Sequence, residues 1–397
     1  MSSPLPPGPP LPPGPPLPPG PPLSHPSCKN EYLSTQYAQY ALVKEYAGPS
    51  FFDEWDFYGH WDNLTGGATN WLSASDAKSQ RLAYVDTVTG NAIIKADNTT
   101  QVPWNGKRNA VRMTSQQEFG IGSVWIADFL HVPYGCSVWS AFWSQAPNWP
   151  AGGEIDTFEA INRAPSNQFA LHTNPGCTIT NAVQTSTIVN STDCSYTSNF
   201  NEGCVTTNPD LRSYGEQFSS NGGGVFVTEF ARSAISIWFF SRNEVPSSLQ
   251  GNVTSVNTTA LGKPTANYPS GTSCSFDKFF AAQKLVFDIT FCGELAGDVP
   301  GTAGKFNETC PGICQDSWVY GPPANYSTAY FEVQSVRVFS TSDANSTTST
   351  SSNGTTASST GTAAGSSSTA PNAAFAGATA SMFHALAAVI AIAMMLV

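Results

Sequence analysis

Charge is what this sequence has least of: 11% of its 397 residues are Asp, Glu, Lys or Arg, where soluble proteins average about 25%. Only 17 residues are Lys or Arg, and the net charge of −11 reflects that scarcity of cations rather than acidic runs. With no basic patch to meet phosphates, the sequence argues against nucleic acid as a partner. A neutral polysaccharide, by contrast, presents no charge to match. Long helical periodicity is missing too. The first 23 residues lack the apolar stretch of a secretory leader; they repeat Leu-Pro-Pro-Gly-Pro-Pro, which favours extended polyproline II structure. Around Cys310-Pro311-Gly312-Ile313-Cys314 there is no second Cys or His cluster at zinc spacing, which argues against a metal there. No motif asks for a cofactor.

What the chain does have is short alternating segments bounded by Gly, Pro, Asn and Ser, as in 110–114, 225–230, 235–239 and 285–291. These predict strands. In the third, Ile235, Ile237 and Phe239 form an apolar face and leave Trp238 beside Ser236, either lining a groove or packing between strands. Gly222-Gly223-Gly224 reads as a hairpin loop. If residues 137–143 form a strand, Trp139 and Trp143 share a face with Ser137 and Ala141, while Val138 and Phe142 turn toward a core. Trp149 follows in Pro147-Asn148-Trp149-Pro150. Such rings suit sugars, whose C–H faces are apolar and whose hydroxyls stay free to hydrogen-bond.

Next comes Glu154-Ile155-Asp156-Thr157-Phe158-Glu159, three carboxylates in six residues. Ile155, Thr157 and Phe158 favour a strand, and Gly152-Gly153 marks a turn before it. On a regular strand Glu154 and Asp156 share a face and Glu159 points away. One extra residue, a β-bulge, would bring Glu159 round to join them. Leaning side chains would then shorten a Cα separation of roughly 13 Å toward the roughly 5 to 5.5 Å between carboxyl groups that a retaining glycosidase uses. Acids so close cannot all ionise together, which leaves one charged and another protonated.

These residues, with Gly135-Cys136-Ser137-Val138-Trp139-Ser140-Ala141-Phe142-Trp143 before them and Leu171-His172-Thr173 after, resemble glycoside hydrolase family 16 in its fungal laminarinase-like branch. The likeness runs from about Glu45 to Ser340. It implies an all-β fold, a β-jelly-roll sandwich of two antiparallel sheets with an open substrate cleft. It also implies Glu154 as nucleophile, Asp156 as its electrostatic helper and Glu159 as general acid/base, with Trp139, Trp143, Trp149, His172 and Trp238 as substrate-binding candidates. The expected activity is an endo-β-glucanase on β-1,3 or mixed β-1,3/1,4 glucan, acting as a monomer. A transglycosylase on the same scaffold and a non-catalytic glucan-binding module are the alternatives. Two departures from the family pattern, at residues 61–71 and at Ala329-Tyr330-Phe331, bear on linkage and subsites rather than on the acids.

Nine cysteines in a low-charge chain predict disulfides, with Cys177, Cys194 and Cys204 clamping long loops and Cys28 left over. Sequons at Asn63, Asn98, Asn190, Asn252, Asn257, Asn307, Asn325, Asn345 and Asn353 suggest a glycosylated surface. The organisation expected is a Pro-rich segment at 1–27, a catalytic domain at 28–340, a Ser/Thr-rich stalk at 341–372 and an apolar tail at 373–397. Small residues at Asn372-Ala373-Ala374, a spacer and the tail match a glycolipid-anchor signal, which implies an extracellular, membrane-anchored protein; a short transmembrane helix is the alternative. An anchor requires export, so the Pro-rich start is read as mispredicted; a genuine Pro-rich ligand for an intracellular domain is the alternative.

Overall fold

The computed structural model describes residues 39–189 and 191–341. The Pro-rich segment, Cys28, the sequons at 190, 345 and 353, the stalk from 342 onward and the anchor signal lie outside the described residues.

Alternation builds the strands. In Lys284–Phe291, Leu285, Phe287, Ile289 and Phe291 enter the main core, while Val286 packs with Ala141 and Trp143 on the opposite face. The Val138–Gln145 strand obeys the same rule: Val138 and Phe142 go inward, Ala141 and Trp143 outward. Two large antiparallel sheets result, one of nine strands and one of eight, and they form the expected β-jelly-roll sandwich. Rings from both sheets fill the space between. Phe129 of the nine-stranded sheet lies 5.6 to 6.4 Å from Phe142, Phe158, Phe226, Phe287 and Phe331.

The eight-stranded sheet carries the site. Its order is Thr187–Val189, Val205–Thr207, Gln168–His172, Glu154–Ile161, Val138–Gln145, Lys284–Phe291, Arg112–Ser115 and Trp55–Phe57. The strand of acids is therefore interior, held on both sides. No helix among the described residues exceeds six residues, and none is long and apolar enough to cross a membrane.

Two expectations are corrected. Gly222 and Gly223 do not turn a hairpin; they end the Gly215–Ser220 helix, with Gly223 N–H bonded to Phe218 O, and feed the Gly224–Phe230 strand. At Gly223 a β-carbon would come within 2.0 Å of Phe129 O, so close backbone passage fixes the residue. Trp238 does not reach the cleft. Ile235, Ile237 and Phe239 face the core, so Trp238 packs on the other side of the nine-stranded sheet with Tyr40, Val124 and Val227, donating from Nε1 to Gly262 O.

Four disulfides join Cys136–Cys310, Cys177–Cys274, Cys194–Cys204 and Cys292–Cys314. Cys310 and Cys314 thus bind different partners and leave no thiolate pair for a metal. Asn63, Asn252, Asn257 and Asn307 are exposed; Asn98 and Asn325 are half-buried.

Truncating the ring at the centre of the core tests this packing. Phe129→Ala is expected to cost about 3 to 5 kcal/mol of unfolding free energy, read from guanidinium unfolding under oxidising conditions; a loss below about 1 kcal/mol would show that the cluster is not the core.

Candidate active site

The site begins with one surplus residue. Along Val138–Gln145 the partners run Asp156 to Trp143 and then Phe158 to Phe142, so Thr157 has no opposite number. Against Gln168–His172 the register also breaks between Asp156 and Glu159. Thr157 and Phe158 therefore both face the interior, and Glu159 emerges on the side of Glu154 and Asp156, as the bulge reading requires. Side chains satisfy the polar groups the bulge releases. Asn167 accepts from Glu159 N at 2.9 Å through Oδ1 and donates from Nδ2 to Thr157 O at 3.4 Å. Inside, Thr157 Oγ1 accepts from Trp125 Nε1 at 3.2 Å and shares a 2.6 Å hydrogen bond with Thr228 Oγ1, both on the facing sheet.

Indoles and an amide hold the two glutamates. Trp149 Nε1 donates to Glu154 Oε2. Trp139 Nε1 donates to Glu159 Oε1 at 2.9 Å, and Gln168 Nε2 to Glu159 Oε2 at 2.7 Å. Asp156, 2% exposed, lies between them, with Oδ2 3.4 Å from His172 Nε2. Burial and then the charge of Glu154 push the Asp156 carboxyl well above its usual range, which favours its protonated form. Burial raises Glu154 as well, opposed by His172 and by hydrogen bonds from Trp149 and Asp156. For His172, burial alone would lower the value; the charge of Glu154, the hydrogen bond to Asp156 and the remaining acids outweigh it and lift it to about 10. His172 is therefore an imidazolium, its Nδ1 3.1 Å from Asn201 Oδ1.

Glu154, Asp156 and His172 bring potential ligand atoms within 4.8 Å of one another.

A cavity of about 520 Å³ opens over the acids, with Trp139, Trp143 and Trp149 on its walls. Trp149 is 40% exposed, Trp143 is nearly buried and Trp139 is half-buried. Beyond Trp143, Arg112 donates to Asp288 at 2.7 Å, its guanidinium 5.0 Å from the Trp143 ring centre and 5.3 Å from that of Trp71. Burial, only partly offset by Arg112, lifts Asp288 to about 6. Sequence reasoning missed Gln168, Asn167, Asn201 and this ion pair as site residues. Gln168 was findable, since it shares a strand face with Ala170 and His172; Asn201 comes from a loop with no periodic signal.

Residues 55–339 match the pattern of XgeA-like catalytic GH16 domains. A probable glycosidase of Schizosaccharomyces pombe is 39% identical over 321 residues, covering 79% of this chain and 71% of that protein. A probable endo-1,3(4)-beta-glucanase of Aspergillus flavus is 34% identical over 315 residues, covering 78% of this chain and 46% of that protein, so the chain spans about half of that relative's length. Laminarinase 16A of Phanerochaete chrysosporium, solved with two beta-glucans in donor and acceptor sites, shares the fold at a TM-score of 0.71 and 33% identity, over 76% of this chain and 99% of that one.

The imidazolium has a pH signature. Its folded value of about 10 stands above the unfolded value of about 6.5, so its stabilisation is complete below the unfolded value and is lost as pH rises through the folded one. The unfolding free-energy difference between the native protein and His172→Asn, followed by urea titration from pH 6 to 10.5, is expected to shrink over that window. A flat difference would mean His172 is neutral.

Proposed function

The chain belongs to glycoside hydrolase family 16, as an XgeA-like catalytic domain, and on that basis we propose that it is a retaining endo-β-glucanase cutting internal bonds of β-1,3 or mixed β-1,3/1,4 glucans. One observation carries this reading: the bulge at Thr157 sets Glu154 and Glu159 on one face, both lining the cavity with Trp139, Trp143 and Trp149.

In the first step Glu154 attacks the anomeric carbon while Glu159 gives its proton to the departing glycosidic oxygen. Glu159, now a base, takes a proton from water, whose oxygen displaces Glu154 from the sugar. Asp156 keeps a proton beside Glu154, steadying its charge before attack and after release. His172 offsets the negative charge of Glu154 and that of Glu159 once the latter's proton has gone to the leaving oxygen. The indole donors position both glutamates, and the cavity rings give sugar faces an apolar surface.

We place the enzyme outside the cell as a monomer on a glycolipid anchor, a reading supported by the Ser/Thr-rich stalk, the small residues at 372–374 and the apolar tail.

Incubation of the secreted protein with laminarin, lichenan, cellulose and xyloglucan, with product sizes followed over time, tests the activity. Shorter oligosaccharides from laminarin or lichenan are expected. Glu154→Gln should abolish them with the fold intact by circular dichroism, and Glu159→Gln should slow hydrolysis by about 10²- to 10⁴-fold. Substantial turnover by Glu154→Gln would refute the nucleophile, and products longer than the substrate would make transfer the main reaction. For the anchor, phosphatidylinositol-specific phospholipase is expected to release the protein from intact cells; retention would count against it.

A further inference from the structure

The acids open onto a second, smaller depression of about 70 Å³, on the side of the Gln168–His172 strand, which shares Trp139, Glu154 and Glu159 with the large cavity and is walled by Phe200 and Leu295. Phe200 belongs to the loop leading into Val205–Thr207. Three successive residues there, Asn199, Phe200 and Asn201, hold left-handed backbone at φ of 47°, 56° and 64°. Asparagine tolerates that region; phenylalanine is a genuine outlier in it. The Phe200 ring is 69% exposed, so core burial does not offset the strain.

The surroundings enforce the conformation. Cys194–Cys204 closes the loop, Lys305 pairs with Glu202 at 2.5 Å, and Asn201 meets His172. Gly203, at φ of 70°, lies so close that a β-carbon would sit 2.4 Å from Leu171 O. Backbone strain kept at a site mouth, and spent on presenting a bare ring, points to a ligand for that ring. Double displacement indicates which ligand. One half of the glucan stays covalently held between the two steps, and the other half leaves and is replaced. The large cavity, with its three indoles, suits the retained half. At about 70 Å³ the depression is too small to enclose a sugar ring, so a ring entering there lies across its mouth against Phe200.

Resting on the glucanase reading above, we infer that Phe200 is the stacking platform for the acceptor-side glucosyl unit, and so sets how often a sugar hydroxyl rather than water takes the glycosyl group. In that transfer the acceptor hydroxyl gives its proton to Glu159, its oxygen bonds to the anomeric carbon, and the bond to Glu154 breaks with its electron pair returning to the carboxylate. Phe200 is a positioning residue and touches no reacting atom.

The test uses the full-length protein with an aryl β-laminaribioside as donor and rising laminaribiose as acceptor. Phe200→Asn removes the ring yet suits left-handed backbone; Phe200→Trp restores a platform. Phe200→Asn is expected to need roughly five- to tenfold more acceptor for half-maximal transfer, with a smaller change in the rate at saturation. Its thermal midpoint should equal or exceed that of the native protein, and Phe200→Trp should bind acceptor like the native protein. Unchanged acceptor dependence in Phe200→Asn overturns the inference. So does a shifted pH profile without an acceptor effect, which would assign the strained run to holding Asn201 on His172. Native protein that hydrolyses laminarin but shows no acceptor response overturns the platform alone, whereas native protein inactive on glucans and on the aryl donor overturns the glucanase reading with it.

Discussion

Everything at the acids depends on one residue too many. Without Thr157 as a surplus step, alternation would turn Phe158 outward and send Glu159 inward beside Phe129 and Phe226, where an unpaired carboxylate costs several kcal/mol. The surplus is stable because its polar debris is collected: Asn167 bridges the broken ladder, and Thr157 is hydrogen-bonded to Trp125 and Thr228 across the sandwich. The distortion of the site is thus braced by the opposite sheet, and the aromatic core keeps the two sheets at the separation that this brace needs.

The scarcity of charge seen in the composition takes on meaning at the cleft. The two glutamates are held by indole and amide N–H groups, not by lysine or arginine. A neutral donor orients a carboxylate without fixing its ionisation, whereas an adjacent cation would strongly favour the charged form. The cation at the acids, His172, is the cross-strand partner of Glu154 and lies against Asp156, so its charge acts on both carboxyls directly. Arg112 is spent on Asp288 and on the surrounding rings.

Much of this was legible in sequence. Alternation gave the inward Phe142 and Phe287 and the outward Trp143, and the spacing of the three acids demanded a bulge. Legibility ended where position depends on contacts distant in sequence. Trp238 alternates as Trp143 does, yet a segment of 245–261 covers it from behind; periodicity shows that a residue faces away from the core but not what lies there. Gly222-Gly223 carries the same turn chemistry at a helix end as in a hairpin. Asn201 and the Arg112–Asp288 pair, whose members are 176 positions apart, arise from tertiary closure alone.

Strand order in the nine-stranded sheet has a consequence for biosynthesis. Tyr330–Ser340, the last strand of the described chain, is inserted between Gln39–Ala47, the first, and Ser123–His131. Until it emerges, the first strand has only the short Ser255–Asn257 beside it, and Cys136 must wait for Cys310. A ribosome delivering this chain from its N-terminus therefore releases a sandwich with a gap in one face, and the brace behind Thr157 belongs to that unfinished face. The cleft closes into working geometry only once Tyr330–Ser340 has been made, so the timing of catalytic competence is written into the topology.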